Sequence, residues 1–367
     1  MLDHLITWGA NIGYALFKLR KIDNNKVVFI SRLGKDKSFD FSMIESRLRQ
    51  EHPEIQCKFL CKRIESFSKG FVGNVLFTVR CLWHLATAKV CVTDSFTVAV
   101  STVHHKKELK VIQIWHSLAA VKKFGYQSVG KKSGRNEKTA DILGMHRNYD
   151  YIVSGSKAMS KYFAEAFGYD ESKFVSTGLP RIDYLINNQE AIRDKIYNVY
   201  PQLKDKINIL YAPTFRTTLD NKSRELAECV NMSKFNFIVK SHARQSLGSV
   251  PGELDCKEFT TLDLLTIADY VITDYSGVAI EAASIDKDTL YYVFDYEEYK
   301  ENNGLNLDLY QEMPGCVFKD PKELCSVIEE GNYNKATLRN YKDKFLEVQD
   351  GTCTEKLCAL IERCMVD

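Results

Sequence analysis

The chain has 367 residues, of which 45% are hydrophobic and 27% charged, and its formal net charge is +2 at pH 7. This composition is typical of a soluble globular protein and excludes an extensively disordered chain. The length exceeds what one hydrophobic core normally serves, so we expect two domains of similar size with a cleft between them.

Two apolar segments near the start of the chain have near-helical spacing. Residues 2–19 contain Lys18 near their end and are followed by Arg20 and Lys21. Residues 71–89 also contain basic side chains. Both patterns are compatible with a helix that lies along a membrane interface. An ordinary core-facing helix is the simpler interpretation of each, and it is the one that we expect.

The charges are unevenly distributed. Residues 1–150 contain 25 Lys and Arg against 13 Asp and Glu, whereas residues 151–367 contain 25 against 35. The basic part is typical of a surface for an anionic partner and equally compatible with solvated faces. The first ten residues hold no Lys or Arg and no apolar run reaches about 18 residues, so we expect neither a secretory signal nor a membrane span, and a cytoplasmic location. The 11 cysteines lack the paired spacing of a metal site and indicate reduced core thiols.

Short apolar runs alternate along the chain with stretches long enough for a crossover helix, which predicts an α/β fold with two Rossmann-like parallel sheets. We expect the domains at residues 1–190 and 200–345, with a boundary in the polar residues 187–206. Residues 346–367 form a predicted helix that packs back toward the first domain. The predicted strands are residues 27–31, 89–93, 111–115, 151–154 and 174–177 in the first domain, and 207–212, 235–240, 270–273 and 289–294 in the second.

Two histidines follow the ends of predicted strands, one in each domain. His116 follows residues 111–115, and His242 follows the strand at 235–240. Ligands of open α/β sheets bind at the carboxyl ends of strands, so the two imidazoles could flank one substrate. Imidazole accepts a proton near pH 7 and imidazolium binds phosphate, which suits transfer between a hydroxyl and a phosphoester. Taken alone, each is also compatible with a structural histidine.

Cationic and phosphate-binding features accumulate at strand ends of the second domain. Arg216 follows the strand at 207–212, and Lys240 and Arg244 flank His242, which indicates an anionic ligand. After the next strand, Asp274, Ser276 and Gly277 lead into a predicted helix whose free N–H groups suit phosphate. Asp274 is equally suited to cap that helix. A Gly-rich dinucleotide fingerprint is absent from the sequence, which argues against NAD.

Seven motifs together resemble the CDP-glycerol glycerophosphotransferase family of teichoic-acid and capsule synthesis. They occur in the family's order between about residues 26 and 351. The motifs are IWHSLAAVKKFG (114–125), TGLPRID (177–183), YAPTFR (211–216), KSHAR (240–244), ITDYSGVAIEAA (272–283), FDYEEY (294–299) and QDG (349–351).

The resemblance implies a glycosyltransferase-B-like architecture whose first domain meets the acceptor and the membrane and whose second binds the nucleotide. It implies transfer of glycerol phosphate from CDP-glycerol to a hydroxyl of a lipid-linked saccharide of the undecaprenyl-diphosphate type, with release of CMP. It also implies a peripheral position at the inner leaflet of the cell membrane, no cofactor, no obligatory metal and no nucleic-acid partner.

The family's two histidines fall on His116, which resembles the base for the acceptor hydroxyl, and on His242. The family's usual Gly or Ala is Ser117 here, and its usual Pro is Ala243. The expected donor-side residues are Arg216, Lys240, Arg244, Asp274, Ser276, Gly277 and Glu281, the last of these toward a ribose hydroxyl, and the expected acceptor-side residues are Lys122, Lys123 and Arg181.

Some of these residues have an equally good structural interpretation. Arg181 and Asp183 suit a local ion pair, and Lys122 and Lys123 suit a solvated loop that continues to Arg135. Three functions remain open: a CDP-glycerol transferase, a transferase of the same shape for CDP-ribitol or a nucleotide sugar, and a nonenzymatic module that docks on a membrane or polyanion. The length resembles the family's primases more than its longer polymerases.

Overall fold

The structure, a computed structural model, describes residues 2–64, 69–131, 134–214, 222–240 and 253–366, with the backbone alone for residues 2–7 and Glu253. The chain divides into two compact units. Unit 1 comprises Met1–Leu118, Lys123–Pro180 and Thr352–Asp367, and unit 2 comprises Ala119–Lys122 and Arg181–Gly351.

Unit 1 is built on a six-stranded parallel sheet with the strand order β2-β1-β3-β4-β5-β6. Strand β3 is buried along its whole length and β1 over its last five residues, as expected for parallel strands with helices on both faces. The elements are α1 (Leu2–Phe17), β1 (Asp23–Ser31), α2 (Phe39–Glu51), β2 (Gln56–Cys61), α3 (Phe71–Leu85), β3 (Ala88–Thr93), α4 (Val98–Ser101), β4 (Lys110–Gln113), α5 (Glu137–Ile142), β5 (Tyr151–Val153), α6 (Lys157–Phe167) and β6 (Phe174–Val175).

Unit 2 repeats this architecture with a second parallel sheet in the order β12-β11-β10-β7-β8-β9. The two sheets confirm the predicted α/β class. The elements are α7 (Pro180–Val199), β7 (Ile207–Tyr211), α8 (Lys222–Cys229), β8 (Phe235–Val239), β9 (Glu253–Leu254), α9 (Thr261–Leu265), β10 (Tyr270–Thr273), α10 (Val278–Ser284), β11 (Asp288–Tyr292), α11 (Tyr296–Asn302), α12 (Leu309–Glu312), β12 (Val317–Phe318), α13 (Pro321–Glu330) and α14 (Lys335–Phe345).

Each sheet has one place where the strand order reverses, and such places form ligand crevices at the carboxyl ends of the strands. In unit 1 the reversal lies between β1 and β3, because the chain leaves β1 toward β2 on one side and continues from β3 to β4 on the other. In unit 2 it lies between β7 and β10. The residues that follow these four strands, and those that follow β4, are therefore the positions to inspect for function.

Residues 187–206, the polar segment in which we expected the domain boundary, are largely helical. Helix α7 runs without a break to Val199, and its apolar stripe of Leu185, Ile192 and Ile196 packs into the core of unit 2 beside Leu210. The unit boundary in the structure falls at its first residues. The polar side chains that suggested a domain boundary are the solvated face of an amphipathic helix.

The carboxyl-terminal helix α15 (Cys353–Val366) is part of unit 1. Its buried residues include Leu357, Cys358 and Ile361, and it packs on α2 and β3. The thiol of Cys358 lies 3.9 Å from the carbonyl oxygen of Ile44 in α2. The chain thus returns to the first sheet after completing the second.

Three strands of the structure were not predicted. They are β2, which contains Lys and Gln, and the two-residue strands β9 and β12. All three are edge strands, and β9 and β12 have only two residues each, so their sequences need no continuous apolar run. Pairing with an existing sheet, which a local pattern does not encode, places them there.

Helices α1 and α3 each face the core on one side, as we expected, and α3 packs on β1 and β3, but both helices also present an apolar face to solvent. They contact each other, and Phe17 meets Trp83 edge to face at a centroid distance of 5.1 Å. Tyr14 and Leu82 are buried against unit 1. The opposite faces leave large apolar side chains in solvent: Trp8, Ile12, Leu16 and Leu19 along α1, and Phe71, Val72, Leu76, Val79 and Trp83 on α3.

In the described part of the chain, neither these helices nor any other combine the length and the continuous hydrophobicity that a membrane span requires.

Candidate functional site

His116 lies just beyond the carboxyl end of β4, and its side chain is exposed. Its Nδ1 lies 3.3 Å from the backbone carbonyl oxygen of Asp94, which follows the neighbouring strand β3. A carbonyl oxygen accepts but cannot donate, so this contact holds the proton on Nδ1 and leaves the lone pair on Nε2. That tautomer, presented at a strand end, is the form in which histidine acts as a general base.

The backbone before His116 adopts an unusual conformation. Trp115 has φ +54°, in the left-handed region that a bulky residue rarely occupies. The buried Gln113 stabilises this turn, because its Oε1 accepts from the Trp115 amide at 2.8 Å and its Nε2 approaches the Ser95 carbonyl at 3.4 Å. The Trp115 ring contacts the imidazole of His116 at a centroid distance of 4.3 Å, with the two ring planes tilted by 37°. The direction of the imidazole is thus set by the turn and by the ring together.

Asp94 is a buried acid beside this histidine, with 2% of its surface exposed. Neither carboxylate oxygen accepts a hydrogen bond of ordinary geometry. Burial raises the pKa of Asp94 to about 6, an effect that the nearby Ser31 and Ser95 hydroxyls reduce and the charge of Asp40 reinforces. Sequence reasoning missed Asp94; its position directly after a buried strand was the signal that could have identified it.

We expect Asp94 to make stability depend on pH. Because its folded pKa lies above the unfolded value of 3.8, its contribution is complete below pH 3.8 and is lost as the pH rises through about 6. D94N, which resembles the protonated form, should therefore gain up to about 3 kcal/mol in unfolding free energy relative to the parent between pH 4 and pH 8. Urea denaturation at both pH values measures this, with D36N at an exposed acid as the control. An equal difference at both pH values would contradict the assignment.

In unit 2 a single carboxylate joins the two strand ends at the sheet's reversal point. Asp274, which follows β10 and is 1% exposed, accepts from the Thr214 amide at 2.9 and 3.0 Å through its two oxygens. It also accepts from the amide of Tyr275 at 2.6 Å. The Thr273 hydroxyl donates across the same gap to the Ala212 carbonyl at 2.8 Å. The carboxylate of Asp274 thus holds the turn after β7.

The turn after Asp274 presents the other motif residues. The Ser276 hydroxyl accepts weakly from the Val278 amide at 3.4 Å, and Gly277 directly precedes α10. Glu281, in that helix, receives a hydrogen bond at 3.0 Å from Nη1 of Arg181 in α7, and both side chains are less than one-fifth exposed. Arg181 therefore forms an ion pair with Glu281, a residue far away in sequence that local spacing could not have predicted.

The remaining donor-side residues are incompletely described. Lys240 follows β8, and its Nζ donates to the Cys256 carbonyl at 2.9 Å, so part of its donor capacity supports the fold. His242, Arg216 and Arg244 lie outside the described residues. Their roles stay predictions from the sequence.

Lys122 and Lys123, expected on the acceptor side, lie on the two sides of a unit boundary. Residues Ala119–Lys122 belong to unit 2, where the Asn306 amide group donates to the Ala120 and Lys122 carbonyls at 3.0 and 3.2 Å. Lys123 begins the return to unit 1. Both lysines are partly exposed. Gly125, two residues later, has φ +56°, and a Cβ there would lie 2.1 Å from the Ala166 carbonyl oxygen, so this position requires glycine.

Across the described residues, no group of three or more His, Cys, Asp or Glu side chains has the arrangement of a metal site. Asp286 and Asp288, which have an Asp-x-Asp spacing, pair instead with Lys342 at 2.8 Å and Lys335 at 3.4 Å.

Comparisons with known proteins agree with this geometry. Residues 12–363 match the family model of CDP-glycerol:poly(glycerophosphate) glycerophosphotransferase. The teichoic acid ribitol-phosphate primase of Bacillus spizizenii is 29% identical over 94% of this chain and 93% of its own. The poly(ribitol-phosphate) polymerase of the same organism is 28% identical over 95% of this chain, which spans 58% of that protein's length. The glycerol-phosphate primase of Bacillus subtilis is 26% identical over 79% of this chain and 77% of its own.

Solved structures show the same fold. The wall teichoic acid polymerase TagF matches with a TM-score of 0.74 at 19% identity, over 100% of this chain and 96% of that chain. A UDP-GlcNAc 2-epimerase from Neisseria meningitidis matches with a TM-score of 0.59 at 12% identity, over 92% of this chain and 100% of that chain. The predicted glycosyltransferase-B-like architecture is confirmed. With the sequence motifs and the family match over almost its whole length, the chain belongs to the CDP-glycerol:poly(glycerophosphate) glycerophosphotransferase family.

Proposed function

We propose that the protein transfers glycerol phosphate from CDP-glycerol to a hydroxyl of a lipid-linked saccharide acceptor of the undecaprenyl-diphosphate type and releases CMP. The observation that carries this proposal is the exposed imidazole of His116, whose Nδ1 is held by the Asp94 carbonyl. The family transfers glycerol phosphate, and in such a reaction a base deprotonates the acceptor hydroxyl that attacks the donor phosphorus.

The proposed reaction is a single in-line displacement. Nε2 of His116 takes the hydroxyl proton while the acceptor oxygen bonds to the phosphorus that carries glycerol. The bond from that phosphorus to the bridging oxygen breaks, and its electron pair leaves with CMP. Phosphoryl transfer depends on positioning and charge stabilisation, so no covalent enzyme intermediate is required.

We assign the donor to unit 2. His242, Arg216 and Arg244 supply the positive charge that a diphosphate requires, with Ser276 and Gly277 at the turn before α10. Asp274 is a positioning residue in this proposal, since its hydrogen bonds to the Thr214 amide hold the turn that leads to Arg216. Glu281 is assigned to a ribose hydroxyl, with Arg181 fixing its direction.

The test is direct. The purified protein is incubated with CDP-glycerol and a synthetic lipid-linked disaccharide. CMP release is followed over time, and the mass of the product is measured by mass spectrometry. We expect CMP and added glycerol phosphate in equal amounts. One added unit identifies a primase and many identify a polymerase, whereas CMP without product, or no reaction, contradicts the proposal.

A second candidate donor is CDP-ribitol. Two relatives that align with at least 94% of this chain are named for ribitol phosphate, whereas the family model is named for glycerol phosphate. Both donors share the CDP group and the reacting phosphorus, so the mechanism is unchanged. Parallel reactions with the two donors, compared by kcat/KM, identify the substrate.

We propose further that unit 1 docks on the anionic lipid surface at the cytoplasmic face of the membrane. The exposed faces of α1 and α3 include Trp8, Leu16 and Leu76, which are 66%, 63% and 65% exposed. Arg20 lies 4.0 Å over the Trp83 ring, and Lys21, Lys69 and Arg80 are exposed on or beside these helices. Apolar side chains with tryptophan and a basic rim are the features of a helix that lies in the interface of an anionic bilayer.

Replacing one apolar side chain of this patch with a carboxylate should weaken vesicle binding. We expect L16E and L76E each to lower partitioning onto phosphatidylglycerol vesicles about tenfold, through lost apolar burial and added repulsion. Vesicle sedimentation measures the change, and V199E, at a half-exposed valine of unit 2, is the control. If all three variants bind like the parent, the docking surface is elsewhere.

A further inference from the structure

Two arginines of unit 1 share one phenyl ring near the reversal point of the sheet. Arg32 directly follows β1, and Arg135 precedes α5. Their guanidinium carbons lie 5.8 and 4.9 Å from the centre of the Phe96 ring, which follows β3 and is 4% exposed. Both distances are in the range of cation–π contacts, so the buried ring fixes both cations at the same place.

Within the ranges that the structure describes, neither Arg32 nor Arg135 forms an ion pair with a carboxylate. Burial lowers the pKa of both guanidiniums, and the charge of Arg135 lowers that of Arg32 further. Arginine nevertheless stays charged at neutral pH. Two partly desolvated like charges without a neutralising acid are unfavourable unless an anion binds between them.

The residue beside the pair adds no negative charge. His146 is 3% exposed and meets the Phe96 ring at a centroid distance of 5.5 Å. Burial, with the charges of Arg135 and Arg32, lowers the pKa of His146 to about 3, so its imidazole is neutral in the physiological range. It has φ +62°, a conformation retained only when the surroundings impose it.

A continuous set of ring contacts connects the arginines to the proposed base. The His146 ring meets the Trp115 ring at a centroid distance of 5.8 Å, and the Trp115 ring contacts the tilted imidazole of His116 at 4.3 Å. Arg32, Phe96 and His116 all follow strands of the same parallel sheet, so they lie along its carboxyl edge. The arginine pair and the proposed base therefore lie at the same edge of the sheet of unit 1, the edge at which ligands of parallel α/β sheets bind.

We propose that Arg32 and Arg135 form a binding site for the phosphate groups of the acceptor. In this site the guanidinium N–H groups donate hydrogen bonds to the diphosphate that links the saccharide to the lipid. This inference rests on the proposed function. Planar guanidiniums match phosphate oxygens bidentately, and a fixed pair selects a diphosphate over an isolated phosphate. The pair is thus a specificity determinant for anionic acceptors and takes no part in proton transfer.

The first experiment measures binding without turnover. Isothermal titration of the full chain, with the donor site of unit 2 saturated with CDP, should show tighter binding of inorganic diphosphate than of inorganic phosphate, and R32Q and R135Q should each weaken diphosphate binding about tenfold or more. K138Q removes an exposed charge three residues from Arg135 and is the matched control. Thermal melting verifies that each variant is folded. Binding that is unchanged in folded R32Q and R135Q overturns the site, whether or not the protein is a transferase.

The second experiment separates the effect on KM for the acceptor from the effect on KM for the donor. It also distinguishes an acceptor phosphate from the phosphate of a lipid headgroup. R32Q and R135Q should raise KM for a diphosphate-linked acceptor about tenfold, leave KM for the nucleotide donor unchanged, and leave activity on the same saccharide with a neutral alkyl linker unchanged. R32K keeps the positive charge but lacks the planar guanidinium that binds two phosphate oxygens, so its KM for this acceptor should lie between those of the parent and R32Q. Equal losses on both acceptors assign the arginines a structural role and overturn the proposal. Loss of phosphatidylglycerol vesicle binding in place of the KM effect assigns the pair to lipid headgroups and overturns it as well.

Discussion

H116A should lower CMP release with CDP-glycerol and a lipid-linked acceptor by about 10²- to 10⁴-fold, the usual contribution of a general base. The loss should fall on kcat, because the imidazole acts on the proton in the transition state and makes little ground-state contact. The donor should still bind with the parent's affinity, since its proposed site is in unit 2.

The fold is expected to survive this substitution. The side chain of His116 is exposed, and its hydrogen bond to the Asp94 backbone carbonyl is long, at 3.3 Å. H104A, at another exposed histidine of unit 1, is the control and should retain full activity. Initial rates at saturating substrate measure kcat, and donor titrations measure the affinity for the donor. A folded H116A with a rate within threefold of the parent would remove His116 from the proton transfer. Retained function in both H116A and H242A would favour the nonenzymatic alternative that the sequence left open.

D274A should produce the largest loss of stability among the site residues, about 3 kcal/mol in the unfolding free energy of unit 2. The substitution leaves the amides of Thr214 and Tyr275 buried without their acceptor, and an unsatisfied buried donor costs about 1–3 kcal/mol. D274N keeps one carbonyl oxygen as an acceptor and should cost about half as much. Both changes should also lower activity, because the turn after β7 loses its link to β10.

Hydrogen exchange measures this locally, which matters in a chain of two units whose unfolding need not be two-state. We expect faster exchange of the Thr214 and Tyr275 amides in D274A, with the amides of β1 and β3 unchanged. S233A, on an exposed turn of unit 2, is the control. Slow exchange at Thr214 in D274A would show that another group holds the turn, and Asp274 would then return to the set of ligand candidates.

The fold class was accessible from the sequence because buried parallel strands leave a local signature. Runs such as residues 27–31 and 89–93 are apolar without alternation, and the spacings between runs fit crossover helices. Short or edge strands such as β2, β9 and β12 carry no such signature, since a single neighbour and partial cover suffice for them. The amphipathic α7 illustrates the opposite error, in which its polar face suggested a domain boundary.

The surface helices illustrate a different limit. Periodicity located apolar faces near residues 2–19 and 71–89, yet it could not tell whether each face meets the core or solvent. Only the packing of α1 on α3 left Trp8, Leu16 and Leu76 outward.

For the candidate site, the sequence motifs indicated the family, and the ends of the predicted strands led to the prediction of His116 and Asp274 as site residues, because the end of a strand is a local feature of the sequence. Glu281, inside α10, was predicted from the motif alone. The sequence could not identify the partners of these residues. The Asp94 carbonyl lies 22 residues from His116 along the chain, and Thr214 lies 60 residues from Asp274. The pairing of Arg181 with Glu281 spans 100 residues, and Arg32 and Arg135 meet through Phe96. Such contacts depend on which strands become neighbours, and strand order is a property of the folded sheet that no local pattern specifies.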